Sequence, residues 1–468
     1  MIPTLTAPQC AAAESAARFT VVRSGPGSGK TTVIVARIAH LVSRGAAPDE
    51  IRALTFTRSA ADGIRARLAA QIGEHAAARV DVTTFHGLAL RLVAASDPSF
   101  SSSNPTRVAT EAEEAAIFET LFDGPSRRSD VPGKKVVRQQ IREFEARREF
   151  VPTCKPLRIL IQRFQDRGLL PMWSLIPFAL HRSVGDPRRV ILVDEAQDCT
   201  GSEGLLAQHA ATPDASWTIV GDPRQAIMSW RGAAPDAFGF AENDRTLQLA
   251  LGQSFRFGQA VAVLANRVAE VFGGTSILGL GGESEVVLDG TMYGPIDAVF
   301  RDPANSAVLC RTNAHAAWCE ARLEGLGVHV KRDPLDPFAH ESDRFAEVAK
   351  AGKVVISTIH AAKGREWDHV VIPPHEFFPE DDAEDWRVLY VAVTRAKKRL
   401  TICGLSRLAM QALCETTGAG AAQGTGLGDS IGAAPASSDT DPSPSAALQS
   451  GERSLLVGDG SALSGGAS

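Results

Sequence analysis

Phe19-Thr20-Val21-Val22-Arg23-Ser24-Gly25-Pro26-Gly27-Ser28-Gly29-Lys30-Thr31-Thr32 joins a short β-branched run to a glycine-rich loop, and the loop to a helical pattern that continues to Val42. Strand, loop and helix in that order form the context of a phosphate-binding loop. Gly25, Gly27 and Gly29 let backbone N–H groups turn inward around phosphates, and the helix N-terminus adds positive potential. Lys30 reaches the β/γ oxygens, the Thr31 hydroxyl can ligate Mg²⁺, and Ser28 and Thr32 complete the nucleotide-binding set. Ser24 stands where the usual pattern has its first glycine, a change of one small residue for another.

Further along, Val190-Ile191-Leu192-Val193-Asp194-Glu195 reads as a buried strand that ends in two carboxylates. Such an end places one acid, Asp194, on the metal and a second, Glu195, beside an attacking water as its base. Other β-branched runs alternate with helical patterns: Ile51 to Phe56, Trp217 to Val220, Val308 to Cys310, Val354 to Thr358 and His369 to Ile372. That alternation predicts α/β architecture with parallel sheets buried on both faces.

A chain of 468 residues has room for about three domains. With 44% hydrophobic and 22% charged residues it can fill more than one core, which excludes global disorder. A net charge of -5 excludes a uniformly basic surface, so any DNA contact must use a local basic face. No run approaches the roughly 18 apolar residues that a bilayer crossing needs, and Met1 to Cys10 lacks a basic signal segment. The expected setting is cytoplasmic, with no membrane partner. Seven cysteines are scattered without a C-x-x-C pair, which predicts reduced thiols and neither a zinc site nor a disulfide scaffold.

Between His86 and Arg189 the texture becomes charged, strand-poor and helical, for example over Glu111 to Phe122 and Lys135 to Phe150. This predicts a helical insertion between two strands of the first sheet. Lys134, Arg138 and Arg142 fall on one helix face, either a solvated face paired with Glu143, Glu145 and Glu149 or a phosphate-contacting stripe. From Thr416 to Ser468 the composition shifts to Gly, Ala, Ser, Pro and Asp without an aromatic residue, which predicts a disordered tail.

Two segments carry a family resemblance. Asp194-Glu195-Ala196-Gln197-Asp198, followed by Val220-Gly221-Asp222-Pro223-Arg224-Gln225-Ala226-Ile227-Met228-Ser229-Trp230-Arg231-Gly232-Ala233, resembles motifs II and III of the UvrD/Rep-like superfamily 1 DNA helicases. Other family motifs follow in the family order. Leu5-Thr6-Ala7-Pro8-Gln9 is similar to the Q motif, Thr55-Phe56-Thr57 to motif Ia, and Thr83-Thr84-Phe85-His86-Gly87-Leu88 to the motif after it. Leu251-Gly252-Gln253-Ser254-Phe255-Arg256 resembles motif IV, and Leu309-Cys310-Arg311-Thr312-Asn313 its companion. Thr358-Ile359-His360-Ala361-Ala362-Lys363-Gly364-Arg365-Glu366-Trp367 resembles motif V, and Leu389-Tyr390-Val391-Ala392-Val393-Thr394-Arg395-Ala396-Lys397 motif VI.

The resemblance implies two tandem RecA-like P-loop domains, with ATP and Mg²⁺ as cofactors. The first, 1A, is expected over 1–86 and 190–244, the helical insertion 1B over 87–189, and the second, 2A, over 245–405. Subdomain 2B, a long insertion in larger members, is expected to be absent or minimal, because only Ala314 to Lys353 separates the Arg311-Thr312-Asn313 segment from motif V. By the same resemblance Gln9 would read the adenine edge, Phe255 would stack on the ring where the family more often has Tyr, and Glu366 would accept from the ribose. Arg256 and Arg395 would act as arginine fingers, since a guanidinium binds phosphate in a forked geometry. Gln225 would touch the γ-phosphate. Phe56 and Trp230 would stack on bases of single-stranded DNA, with His86, Arg231 and His360 as further DNA contacts; core packing is the competing reading for Phe56. Met228 and Arg58-Ser59 depart from the family at DNA-facing positions. The implied activity is that of an ATP-hydrolysing DNA helicase or translocase moving 3′ to 5′ on single-stranded DNA, with single-strand/duplex junctions as substrates. A motor subunit that strips proteins, or unwinds only with a nuclease or repair partner, is the alternative; no nuclease motif is visible in the tail.

Overall fold

The structure, a computed structural model, describes residues 4–404 apart from 97–106, 123–130, 147–153, 183–184, 235–236, 242, 271, 274–275, 290–304, 326–327, 329, 333–353 and 374–382. Two six-stranded parallel sheets organise it. The first contains β1 (Phe19–Ser24), β2 (Ile51–Thr55), β3 (Asp81–Thr84), β4 (Arg188–Val193), β5 (Ala211–Gly221) and β6 (Leu247–Leu251), in the order β3-β2-β4-β5-β1-β6. A small ribbon follows, made of β7 (Gln253–Ser254) and β8 (Leu278–Gly279). The second sheet contains β9 (Glu285–Asp289), β10 (Ser306–Cys310), β11 (Val330–Arg332), β12 (Val354–Thr358), β13 (Trp367–Ile372) and β14 (Ala396–Cys403), in the order β9-β14-β13-β10-β12-β11.

Both sheets are covered on both faces, as their unbroken apolar runs require. On β4, Leu192 joins one core with Val33, Ile34 and Ile38 from helix α2 (Lys30–Ser43). Its neighbours Ile191 and Val193 join the opposite core with Phe85, Leu88 and Trp217. On β10, Ala307 and Leu309 face one core while Val308 and Cys310 face the other. The seven runs read as strands in the sequence all lie on strands of these sheets.

The helical insertion has a core of its own, built from Ile117, Phe118, Leu121, Val137, Leu160, Phe164 and Leu169. Its expected limits, 87 and 189, are too wide. Leu88, Leu92 and Val93 of helix Phe85–Ser96, together with Leu175, Ile176 and Leu180 of helix Leu175–Arg182, pack into the first-sheet core. The return into β4 is pinned by the buried Arg52, which binds Asp81 of β3 at 2.6 Å and Asp186 at 2.7 Å. A second boundary also moves. Leu247–Leu251, expected to open the second domain at 245, pairs in parallel with Phe19–Ser24 and closes the first sheet instead.

On helix α3 (Lys134–Ala146) the first two residues of the basic stripe are engaged within the insertion. Lys134 pairs with Glu119, and the Arg138 guanidinium lies 5.1 Å from the Phe118 ring. Half of the short span expected in place of 2B belongs to the second unit: helix Asn313–Gly325 packs Ala316, Cys319 and Leu323 beneath the sheet, and Val330–Arg332 is its edge strand. Residues 333–353 and the tail from Thr416 lie outside the described residues. None of the cysteines at 10, 154, 199, 310, 319 and 403 is joined in a disulfide. Among the described residues no helix is long and apolar enough to cross a membrane.

Candidate active site and single-strand surface

The phosphate-binding loop leaves β1 at Ser24, whose hydroxyl donates to Gly221 O on β5 at 3.0 Å. A glycine there could not make that tie. Ser28 Oγ closes the loop onto Gly25 O at 2.7 Å, and the Gly25 N–H donates to Leu251 O at 3.0 Å. Gly27 and Gly29 hold φ of 70° and 82°, in the left-handed region that disfavours any side chain. A Cβ on Gly27 would also stand 2.5 Å from Arg256 Cβ, so the loop and the motif IV segment touch. Lys30 opens α2 and places Nζ 3.5 Å from Glu195 Oε1. The side chains of Thr31 and Thr32 lie at the half-buried start of the same helix.

At the end of β4, Asp194 is buried and its Oδ1 accepts the Glu195 N–H at 3.0 Å. Glu195 has φ of 53°, an uncommon conformation for a residue with a side chain and one that recurs at functional sites. Its Oε2 accepts from Gln197 at 2.7 Å. Burial, and then the adjacent Glu195 charge, push Asp194 well above the usual carboxylate range. For Glu195 burial works the same way, yet Lys30, Lys363 and Arg395 outweigh it and hold the acid low. The pair therefore offers one carboxylate short of positive charge and one already balanced. A carboxylate such as Asp194 and a hydroxyl such as that of Thr31 are oxygen donors of the sparse kind Mg²⁺ uses when phosphates supply further ligands. No group of three or more His, Cys, Asp or Glu that could hold a metal ion occurs among the described residues.

The second unit reaches the same place. Arg395, at the end of helix α4 (Ala383–Val393), is fully buried and donates to Gln225 Oε1 at 2.9 Å and to Val391 O at 2.9 Å. Burial, and next the Arg256 charge, push its pKa down to about 9. Gln225 Nε2 in turn donates to Asp222 Oδ2 at 2.7 Å. Arg256 binds Glu366 at 2.6 Å and Thr394 O at 3.0 Å, and Lys397 binds the other Glu366 oxygen at 3.0 Å. Glu366, expected at a ribose, thus has both oxygens engaged by cations. Burial opposes its charge, but Arg256 and Lys397 hold its pKa below the ordinary value.

Lys363, quoted in the sequence only as part of motif V, bridges the two units. Its Nζ binds Asp198 Oδ1 at 2.6 Å and also donates to Gln225 O. The signal for it was Asp198: a carboxylate buried after a strand end needs a cationic partner.

Phe255 stands 47% exposed next to the loop. Gln9 is not open in the same way. Its Nε2 donates to Ser28 O and its Oε1 accepts the Thr6 N–H, both at 2.9 Å, so donor and acceptor are used to seat helix α1 (Ala7–Glu14) on the loop.

The residues expected at DNA divide. Trp230 is 38% exposed and lines a cavity of about 340 Å³ with Gln139, Arg142, Glu143 and Ala146 of α3, and with Ser229 and Gly232. Phe56 packs against the first-sheet core, its ring 5.5 Å from Phe85 and beneath Arg231 at 5.3 Å. Arg231, expected at the strand, is 6% exposed, and its guanidinium binds Glu203 at 2.7 Å with Glu145 at 3.9 Å. Its charge is neutralised inside the protein rather than presented to a phosphate. His86 lies 3.7 Å from the same Glu145. Burial, and then Arg311, push the pKa of His360 down to about 4, so at pH 7 its imidazole is neutral and offers hydrogen bonds rather than charge.

The UvrD/REP helicase N-terminal domain model matches residues 5–175 and 179–246, just over half of the chain, and the UvrD-like helicase C-terminal domain model matches 353–403. A probable DNA helicase of Mycoplasma pneumoniae is 26% identical over 449 residues, covering 82% of this chain and 80% of its own. The ATP-dependent DNA helicase Rep of Salmonella typhimurium is 28% identical over 275 residues, 53% of this chain and 40% of its own. DNA helicase IV of Escherichia coli is 24% identical over 484 residues, 81% of this chain and 65% of its own. The chain thus spans most of the Mycoplasma protein but well under half of Rep.

Proposed function

Since the chain belongs to the UvrD/REP helicase family, we propose that it is an ATP-dependent DNA helicase, an ATP hydrolase that moves 3′ to 5′ along single-stranded DNA and opens duplex at junctions. One observation carries the reading: Lys30 and Glu195 of the first unit and Arg395 of the second meet across one cleft, joined through Gln225 and Lys363. A chain that merely bound DNA would have no use for a lysine, a base and a buried guanidinium converging on a phosphate loop.

In this reading the loop from Gly25 to Thr32 holds the triphosphate, with Lys30 on the β/γ oxygens. Thr31 and Asp194 would hold Mg²⁺, which when bound neutralises phosphate charge. Glu195 takes the proton of the attacking water. Arg395 exchanges the neutral amide of Gln225 for the γ-phosphate, a stronger charge-assisted contact. Arg256 follows from its place against Gly27. Hydrolysis removes that differential contact, and Gln225 recovers Arg395 and reports the loss through Asp222. The domain assignment consistent with this cycle is 1A through β6, 1B as the insertion with its separate core, and 2A from the ribbon to β14.

Trp230, at its cavity between motif III and α3, is the stacking residue of this scheme; Phe56 supports it from the core. Strong stimulation of steady-state ATP hydrolysis by single-stranded DNA is the expected result. A wild-type rate indifferent to DNA would sink the proposal of a lone helicase. Trp230→Ala is expected to lose about 1 to 3 kcal/mol of DNA affinity, the worth of one stacked base, read as a higher DNA concentration for half-maximal stimulation with an unchanged KM for ATP. Equal losses in both would make Trp230 a packing residue. The short span between Asn313 and Val354 favours a second reading, a translocase that unwinds only with a nuclease or other partner. A strand-displacement assay beside the ATPase assay separates the two.

A further inference from the structure

Tyr390 of helix α4 is fully buried, and its hydroxyl makes no hydrogen bond among the described residues. Burying a hydroxyl without a partner is unfavourable, and an orphan of this kind calls for a reason. Packing does not supply one. The Phe272 ring meets Tyr390 edge-on at 5.8 Å, and the Arg224 guanidinium lies 5.3 Å from its ring centroid. A phenylalanine would make both contacts equally well.

The surroundings of the oxygen are more telling. Arg224 donates from its backbone N–H and from Nε to Asp222 Oδ1, both at 3.1 Å, and its guanidinium comes within 3.4 Å of where a Cβ on Gly25 of the phosphate loop would stand. Asp222 Oδ2 holds Gln225 Nε2, and Gln225 Oε1 takes its donor from Arg395, beyond Tyr390 at the end of the same helix. Burial, and then the Asp222 charge, push the Tyr390 phenol well above its usual pKa, so it keeps its proton and remains a donor. The main chain of Gln225 is fixed as well, its N–H donating to Asp222 O at 2.9 Å and its carbonyl accepting from Lys363. The amide is thus held in place, and Oε1 is left in a buried place without its donor once the guanidinium turns to phosphate.

We propose that Tyr390 is a positioning residue for Gln225: when the second unit moves to bring Arg395 onto the γ-phosphate, the Tyr390 hydroxyl takes over Gln225 Oε1. The inference rests on the reading that Arg395 exchanges Gln225 for phosphate, and adds to it the donor that relieves the amide. Tyr390 and Arg395 ride on one helix, so a single movement carries both. The hydroxyl is unsatisfied before the triphosphate arrives and satisfied afterwards, a difference that favours the triphosphate-bound state.

The test is Tyr390→Phe in the full chain, which removes one oxygen and keeps the ring. The quantities read are the melting temperature without nucleotide and the affinities for ADP and for the β,γ-imido analogue of ATP, by displacement of a fluorescent ADP analogue. The affinity for the imido analogue is expected to fall about tenfold. That for ADP, which has no γ-phosphate to draw Arg395 away, should hold, and the melting temperature should be no lower than the parent's. Arg395→Ala is the reference for the exchange. If it loses the preference for the imido analogue over ADP and Tyr390→Phe keeps it, the role of Tyr390 is wrong and the arginine exchange stands. If Arg395→Ala also keeps the preference, the exchange and the proposal fall together. Equal weakening of both nucleotides by Tyr390→Phe, or a lowered melting temperature, would make the hydroxyl a structural group and overturn the proposal.

Discussion

Glu195→Gln is expected to lower kcat for ATP hydrolysis by about 10²- to 10⁴-fold while nucleotide binding persists. Gln keeps the volume of the side chain, and its amide oxygen can still accept from Gln197, the 2.7 Å partner of Glu195 Oε2. It cannot accept the proton of a water. Lys30 loses the anion 3.5 Å from its ammonium, but phosphate oxygens replace that anion when nucleotide is bound. The affinity for a fluorescent ATP analogue should therefore hold as turnover collapses. A variant turning over at half the parental rate would remove Glu195 from the place of the base.

Arg395→Ala is expected to lower kcat by about 10³-fold or more, the scale seen when an arginine finger is removed. Stability should suffer as well, because Gln225 Oε1 loses its donor in a buried place, whereas Val391 O keeps the Thr394 hydroxyl at 3.0 Å; the cost is about 1 to 3 kcal/mol for an unsatisfied group. Arg395→Lys separates the two effects. Lysine restores a donor and a charge but cannot fork between phosphate oxygens. The melting temperature should recover in part and kcat should not. Wild-type turnover in the lysine variant would show that a point charge suffices and would end the finger assignment.

The sheets were legible because parallel strands covered on both faces are written as unbroken apolar runs, as in Val190 to Val193. Leu247–Leu251 escaped because it is an edge strand, with Leu247 left 38% exposed, and so lacks that run. Asp81–Thr84 and Ala396–Cys403 escaped for related reasons. One is four residues long, and the other carries Lys397, Lys398 and Arg399 on its solvent-facing start. The insertion was placed too widely because helices that cover a sheet and helices that form a bundle share one periodicity.

At the site, motifs disclosed which chemical groups are present but not what holds each one. Asp198 and Lys363 stand 165 positions apart, and nothing local to either names the other. Arg231 reads as a basic residue beside a stacking tryptophan, and only folding brings Glu203 and Glu145 to it. Gln9 reads as an available amide, and only the path of the loop brings Ser28 O within reach. Departures of this kind arise where long-range electrostatics, rather than pattern, decides the environment of a side chain.

The closeness of Gly27 to Arg256 sets a clearance between the two halves of the molecule. A hydrogen atom occupies the point where any other residue would carry a carbon 2.5 Å from Arg256 Cβ. Two demands, a left-handed turn and an empty volume, therefore fall on one atom. Relaxing the turn would not relieve the collision, and shifting Arg256 would not relieve the turn. The approach of the motif IV segment to the loop is thus limited by a missing methyl group, and a substituted position 27 would act as a spacer that keeps Arg256 at arm's length from phosphates still held in the loop.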